Sequence, residues 1–116
     1  MSVALRQVAG ASDAVWLIRD QTVMSREFFN YALILQADRK IPLFAFSPVF
    51  VEKGAVASFA ARYQDLGRIA ARLARDILDG GDPDQIPLQS PRGTLYLNTR
   101  AAGVAKLKIP ERLLSE

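Results

Sequence analysis

Apolar residues along this chain come in two kinds of block, short unbroken runs and longer stretches at helical spacing, and the two kinds alternate. Val3, Ala4, Leu5, Val8 and Ala9 fit a short helix over 2–9, with Gly10 as its stop. Ala14-Val15-Trp16-Leu17-Ile18 is an unbroken apolar run between Asp13 and Arg19-Asp20. Such a run predicts a strand buried on both faces, as in a parallel sheet, with Trp16 in the core. Ser25 is a fitting N-cap, and Glu27 suits the positive end of the helix that follows. That helix, over 26–38, is apolar on nearly every side (Phe28, Phe29, Tyr31, Leu33, Ile34, Leu35), which predicts a sandwiched helix or one that meets a partner. A second strand follows at 41–46, with Pro42 near its start, where a missing donor is tolerated. Strand, helix and strand joined by short connections make a βαβ unit, so the sheet is expected to be parallel with a right-handed crossover.

Gly54 opens a third strand over 55–60. The clearest helix of the chain runs over 64–79, where Leu66, Ile69, Leu73, Ile77 and Leu78 fall on one face and arginines and aspartates on the other. Gly80-Gly81 ends it and Asp82-Pro83 prevents its continuation. Residues 94–97 read as a last short strand, Asn98-Thr99 as the cap of a terminal helix to about 106, and Ile109-Pro110 as the start of a tail. The fold class is α/β, a Rossmann-like βαβ parallel sheet flanked by helices.

Composition narrows the chemistry. The chain has 116 residues, half of them apolar, and a formal charge of +3 spread along its length. It has no cysteine and no histidine, which removes disulfides, thiolate chemistry, His-based zinc sites and every scheme that needs imidazole. No segment approaches the ~20 apolar residues of a membrane span, and the first residues lack the pattern of a signal peptide. Taken as complete, the chain would be cytoplasmic. Arg68, Arg72 and Arg75 lie close on one helix but are flanked by Asp65, Asp76 and Asp79, the pattern of a solvated face and not of a nucleic-acid site.

Open α/β sheets bind ligands at the carboxyl ends of their strands. Here those ends are Arg19-Asp20-Gln21-Thr22 and Ser47-Pro48-Val49-Phe50. Asp20 would hold an amino group, Thr22, Ser25 and Ser47 offer hydroxyls, and the helix start near Ser25 offers free amides to a carboxylate, a set that suits a zwitterion such as an amino acid. A second reading stands beside it, in which Asp20 and Ser25 only cap the turn and the helix. Phe46, Phe50 and Tyr63 likewise read either as an aromatic pocket wall or as core packing. Gly80-Gly81 lacks the strand and helix of a phosphate loop and reads as a helix C-cap. The carboxylate pairs Asp76/Asp79 and Asp82/Asp84 have no convergent partner, so the residues imply no metal, no cofactor and no catalysis.

The order of several motifs resembles the C-terminal stretch of the ABC-transporter substrate-binding family of two-lobed periplasmic proteins. The resemblance covers 13–114 and rests on Asp13-Ala14-Val15-Trp16-Leu17, Asp20-Gln21-Thr22-Val23, Ile41-Pro42-Leu43-Phe44, Val51-Glu52-Lys53-Gly54-Ala55 and Tyr63-Gln64-Asp65-Leu66-Gly67-Arg68. Ile86-Pro87-Leu88, Leu97-Asn98 and Ile109-Pro110-Glu111-Arg112 close it. It implies part of a periplasmic-binding-protein type I fold: a single partial domain over 1–116, with a βαβ lobe segment at 1–53 and the hinge crossing, long helix, terminal strand and terminal helix at 54–116. It also implies an importer's solute-binding component, non-catalytic and extracytoplasmic, that works with ABC permease subunits. Asp20, Thr22, Ser47 and Phe50 would then face a small polar solute. The alternative is a cytoplasmic ligand-sensing or dimerisation module, with a homodimer through the apolar face of helix 64–79. Where relatives often place glycine after the last helix, this chain has Lys106.

Overall fold

The computed structural model describes residues 2–21 and 23–114. Its elements are α1 (Ser2–Gly10), β1 (Val15–Trp16), α2 (Arg26–Arg39), β2 (Leu43–Ala45), α3 (Pro48–Glu52), β3 (Ala57–Ala61), α4 (Tyr63–Leu78), β4 (Gly93–Leu97) and α5 (Thr99–Val104), with 3-10 turns at Pro83–Gln85 and Glu111–Leu113. The sheet has the order β1-β2-β3-β4. β1 and β2 run parallel, with Val15 opposite Leu43 and Trp16 opposite Phe44, and β2 and β3 run parallel, with Phe44 opposite Ala57. The expected βαβ unit is therefore present. The chain divides into two compact units, Met1–Phe59 with Leu95–Glu116, and Ala60–Thr94.

In the first unit, α1 and α2 bury Leu5, Ala9, Phe29 and Leu35 against Leu17 and Leu43. Gln36 of α2 is buried with them, donating to the Gly54 carbonyl and accepting from the Leu43 amide, both at 2.9 Å. A smaller core forms where Ala101, Ala102 and Ala105 of α5 close over Val56 and Ala57. Asn98 begins α5: its Oδ1 accepts from the Ala101 amide and its Nδ2 donates to the Val51 carbonyl, each at 2.9 Å. Gly54 has φ 120°, and a Cβ there would stand 3.2 Å from Leu33 Cδ2, so both backbone and space call for glycine at the turn into β3.

Several expectations change. Trp16 is 71% exposed and Ile18 62% exposed, so the run 14–18 is buried on the Val15 and Leu17 side only and Trp16 lies outside the core. α2 buries one stripe, Phe29, Ala32, Leu35 and Gln36, and leaves Ile34 exposed, so it is not sandwiched. α3 was not foreseen: Ser47-Pro48 starts a five-residue helix too short to show a period. Lys106 takes φ 55° after α5, with its amide bonded to the Gly103 carbonyl and the Leu107 amide to the Ala102 carbonyl. This is the Schellman turn that glycine usually makes, built here around a lysine.

In the second unit, α4 is amphipathic as expected, yet none of its residues is buried. Its end is a second Schellman turn, with the Gly80 amide on the Ile77 carbonyl and the Gly81 amide on the Asp76 carbonyl, which fits the reading of Gly80-Gly81 as a C-cap. At its start, Arg62 and Arg68 both bond the Asp65 carboxylate, at 2.9 Å and 3.2 Å.

Candidate functional site at the strand ends

The parallel pairing of β1 and β2 brings two of the predicted residues to one edge of the sheet. Asp20 lies four positions past Trp16 and Ser47 three positions past Phe44, and those two strand residues are register partners. Asp20 is exposed, and its backbone carbonyl accepts from the Val23 amide at 3.2 Å in a tight turn. Ser47 is half-buried and occupies the N-cap of α3, but its hydroxyl makes no capping bond, so capping is not its use. Thr22 lies outside the described residues.

Phe50 sits one turn into α3, its ring 4.8 Å from Phe29 and 4.9 Å from Phe46. This cluster joins the core of the first unit to the start of α3, so Phe50 and Phe46 both pack and remain half-buried. Tyr63, the third aromatic of the expected wall, belongs to the second unit and is 83% exposed. Ser25 caps α2 through its hydroxyl, which accepts from the Phe28 amide at 3.1 Å. Of the two readings open for Ser25, the structure realises the cap.

Chemically, the edge offers a carboxylate, a hydroxyl not spent on a helix end and aromatic carbon, which together can hold a small polar molecule by hydrogen bonds and one charge. No group of three metal-ligating side chains occurs among the described residues. No described helix is long and apolar enough to cross a membrane.

A wide apolar hollow of the first unit lies away from this edge. A cavity of about 750 Å³ is walled by Trp16, Phe44, Phe59, Leu95, Leu97 and Ile109, among others, and none of Asp20, Ser47 and Phe50 lines it. Lys108 is the one charged residue on that wall among the described residues. The sequence reading missed this face, because an unbroken apolar run gives both faces of a strand the same signal.

The family described as ABC transporter substrate binding protein matches residues 1–116. Among curated proteins none matches significantly. A conserved domain protein from Vibrio cholerae is similar in structure with a TM-score of 0.72 and 28% identity, over 98% of this chain and 38% of its own. An ABC domain from Streptococcus pneumonia, solved in complex with L-Trp, has a TM-score of 0.73 and 25% identity, over 99% of this chain and 40% of its own. A ligand-free, open substrate-binding protein with adhesive properties from Clostridium difficile shares the fold, with a TM-score of 0.74 and 22% identity over 94% of this chain and 37% of its own. The chain therefore spans about two-fifths of the length of these solved structures.

Proposed function

Because the chain belongs to the ABC transporter substrate-binding protein family, we propose that it forms part of the receiving surface for a small polar solute, an amino acid being the class that fits best, and that it does so without catalysis. The observation that carries the reading is the common edge at the carboxyl ends of β1 and β2, where Asp20 and Ser47 follow register-paired strand residues. In this reading Asp20 takes the solute's amino group, Thr22 and Ser47 supply hydroxyls, and Phe50 backs the apolar part of the solute. The likeness to a protein solved with L-Trp supports an amino-acid ligand. Transfer to ABC permease subunits, outside the cytoplasm, is the setting that family membership suggests.

The test is calorimetric titration of the chain with a panel of amino acids, sugars and aromatic acids. Saturable binding of an amino acid that Asp20→Ala weakens at least about tenfold, the change that 1.4 kcal/mol makes, supports the reading. Equal affinity in the variant removes Asp20 from the site.

The exposed apolar face of α4 favours a second reading, a ligand-sensing or dimerisation module that pairs through that helix. Light scattering that gives a monomer mass at every concentration to the high micromolar range excludes this pairing.

A further inference from the structure

Burial along β3 stops abruptly. Ala55, Val56, Ala57 and Ser58 are each 4% exposed or less, whereas Phe59, the next residue, is 70% exposed. The first unit ends its first stretch at Phe59 and the second begins at Ala60, so Ser58 is the last buried position before the chain leaves the first unit. At three positions in a row the sequence places alanine or valine, and at the fourth it places a hydroxyl. Among the described residues, Ser58 Oγ is the one buried side-chain polar atom that makes no hydrogen bond. Its register partner on β2 is Ala45, itself buried, whose methyl is neither donor nor acceptor. Gln36, the other buried polar side chain, is bonded at both ends, so this core satisfies the polar group it holds elsewhere. A hydroxyl buried without a partner has lost its water and gained nothing in return, and that cost vanishes once the segment opens and water reaches the oxygen.

We propose that Ser58 is a conformational device, a weak point built into the exit of β3. Its unpaired hydroxyl raises the packed state of residues 57–61 relative to a locally opened one, so this end of the strand opens before the rest of the first unit's core. Local opening is set by how well a segment's groups are packed and paired in the closed state. The alanines beside Ser58 lose burial on opening, whereas its hydroxyl gains water. Alanine at this position would fill the same backbone site without the penalty, so the serine trades stability for mobility at one defined place. The segment that yields is paired to β2, whose chain continues through Ala45, the partner of Ser58, to Ser47 two residues on. The device acts whether or not a solute binds.

The test is Ser58→Ala, which keeps the Cβ and removes only the oxygen. Native-state hydrogen exchange by NMR reads each amide, and urea denaturation reads the whole molecule. In the chain as it stands, amides of 57–61 are expected to exchange faster than those of Leu35 and Leu43, the mark of opening short of global unfolding. In the variant, after correction for intrinsic rates, the same amides should exchange at least about fivefold more slowly, the low end of what one unpaired buried hydroxyl supplies. The urea midpoint should rise, and amides of α1, whose fraying leaves Ser58 packed, should not change. A midpoint that falls or stays the same, or a variant that does not fold, shows that the hydroxyl is paired in the folded chain, by a neighbour or an internal water, and overturns the proposal. Unchanged exchange over 57–61 overturns it as well, because opening there would then leave Ser58 packed. Protection of 57–61 equal to that of Leu35 and Leu43 in the unaltered chain does the same, since no segment would open ahead of the core. No arm uses the solute, so failure here leaves the solute-binding reading untouched.

Discussion

The side-chain amide of Gln36 links three elements of the first unit: it sits on α2, donates to the Gly54 carbonyl before β3, and accepts from the Leu43 amide of β2. A buried backbone group left without its partner costs more than the net value of the bond that satisfied it. Gln36→Leu keeps the shape but strands one donor and one acceptor, so a loss of about 2–6 kcal/mol is expected, at roughly 1–3 for each of the two groups. Urea denaturation checks it, with the midpoint falling and the slope unchanged. An unaltered midpoint would mean that water replaces the amide. At this scale the caps were legible and the bridge was not. Ser25 and Asn98 signal caps by type and place, since a short polar side chain just before an apolar stretch has a known use. Gln36 carries no such signal, because its partners lie 7 and 18 residues away in sequence. Asp20 and Ser47 were legible as strand-end residues for the opposite reason, that their position follows from the strand boundaries alone.

Elements were readable wherever a period had room to develop. α4 shows its stripe over sixteen residues, whereas α3, with five, has none. β1 misled in a different way: five apolar residues in a row hide which face is covered, and the answer depends on chain packed from elsewhere. α4 also carries a carboxylate whose titration the structure perturbs. A hydrogen bond from Arg62, foremost, holds the Asp65 carboxyl below its ordinary 3.8, with the charges of Arg62 and Arg68 adding to it against a partial loss of solvation. A carboxylate with a depressed folded value contributes stability that is present above the unfolded value and is lost as pH falls through the folded one. The helicity of α4 is therefore expected to decline as pH drops below about 4, beyond any general acid unfolding. Asp65→Asn should start from lower helicity and show no such step. Because the group faces solvent the effect is small, and carbon chemical shifts of the first turn of α4 are the measurement of choice. A step of equal size in the variant would assign it to another carboxylate.

The two units of the molecule differ in how their helices are held, and this difference sets its dynamics. α2 in the first unit buries Phe29, Ala32, Leu35 and Gln36 and adds a bridge to two strands. α4 in the second has no fully buried residue, and of its apolar side chains only Ile69 and Leu73 are half-buried, although its apolar stripe is the stronger of the two. Helices draw most of their stability from packing of an apolar face, and isolated ones shorter than ~12–15 residues are marginal in water. At sixteen residues, with its Asp65 ion pairs and its Schellman turn, α4 sits only just above that limit. Backbone amides open with free energies from near zero up to the global value, according to the packing around them. In the chain by itself, amides of the last three turns of α4 are therefore expected to exchange at least about a hundredfold faster than those of Leu35 and Leu43, after correction for intrinsic rates. Hydrogen exchange followed by mass spectrometry resolves the two segments. Equal protection in both, independent of concentration, would mean that α4 is packed within a single copy and that the stripe is not a free surface. Protection of α4 that rises with concentration would show copies pairing through it.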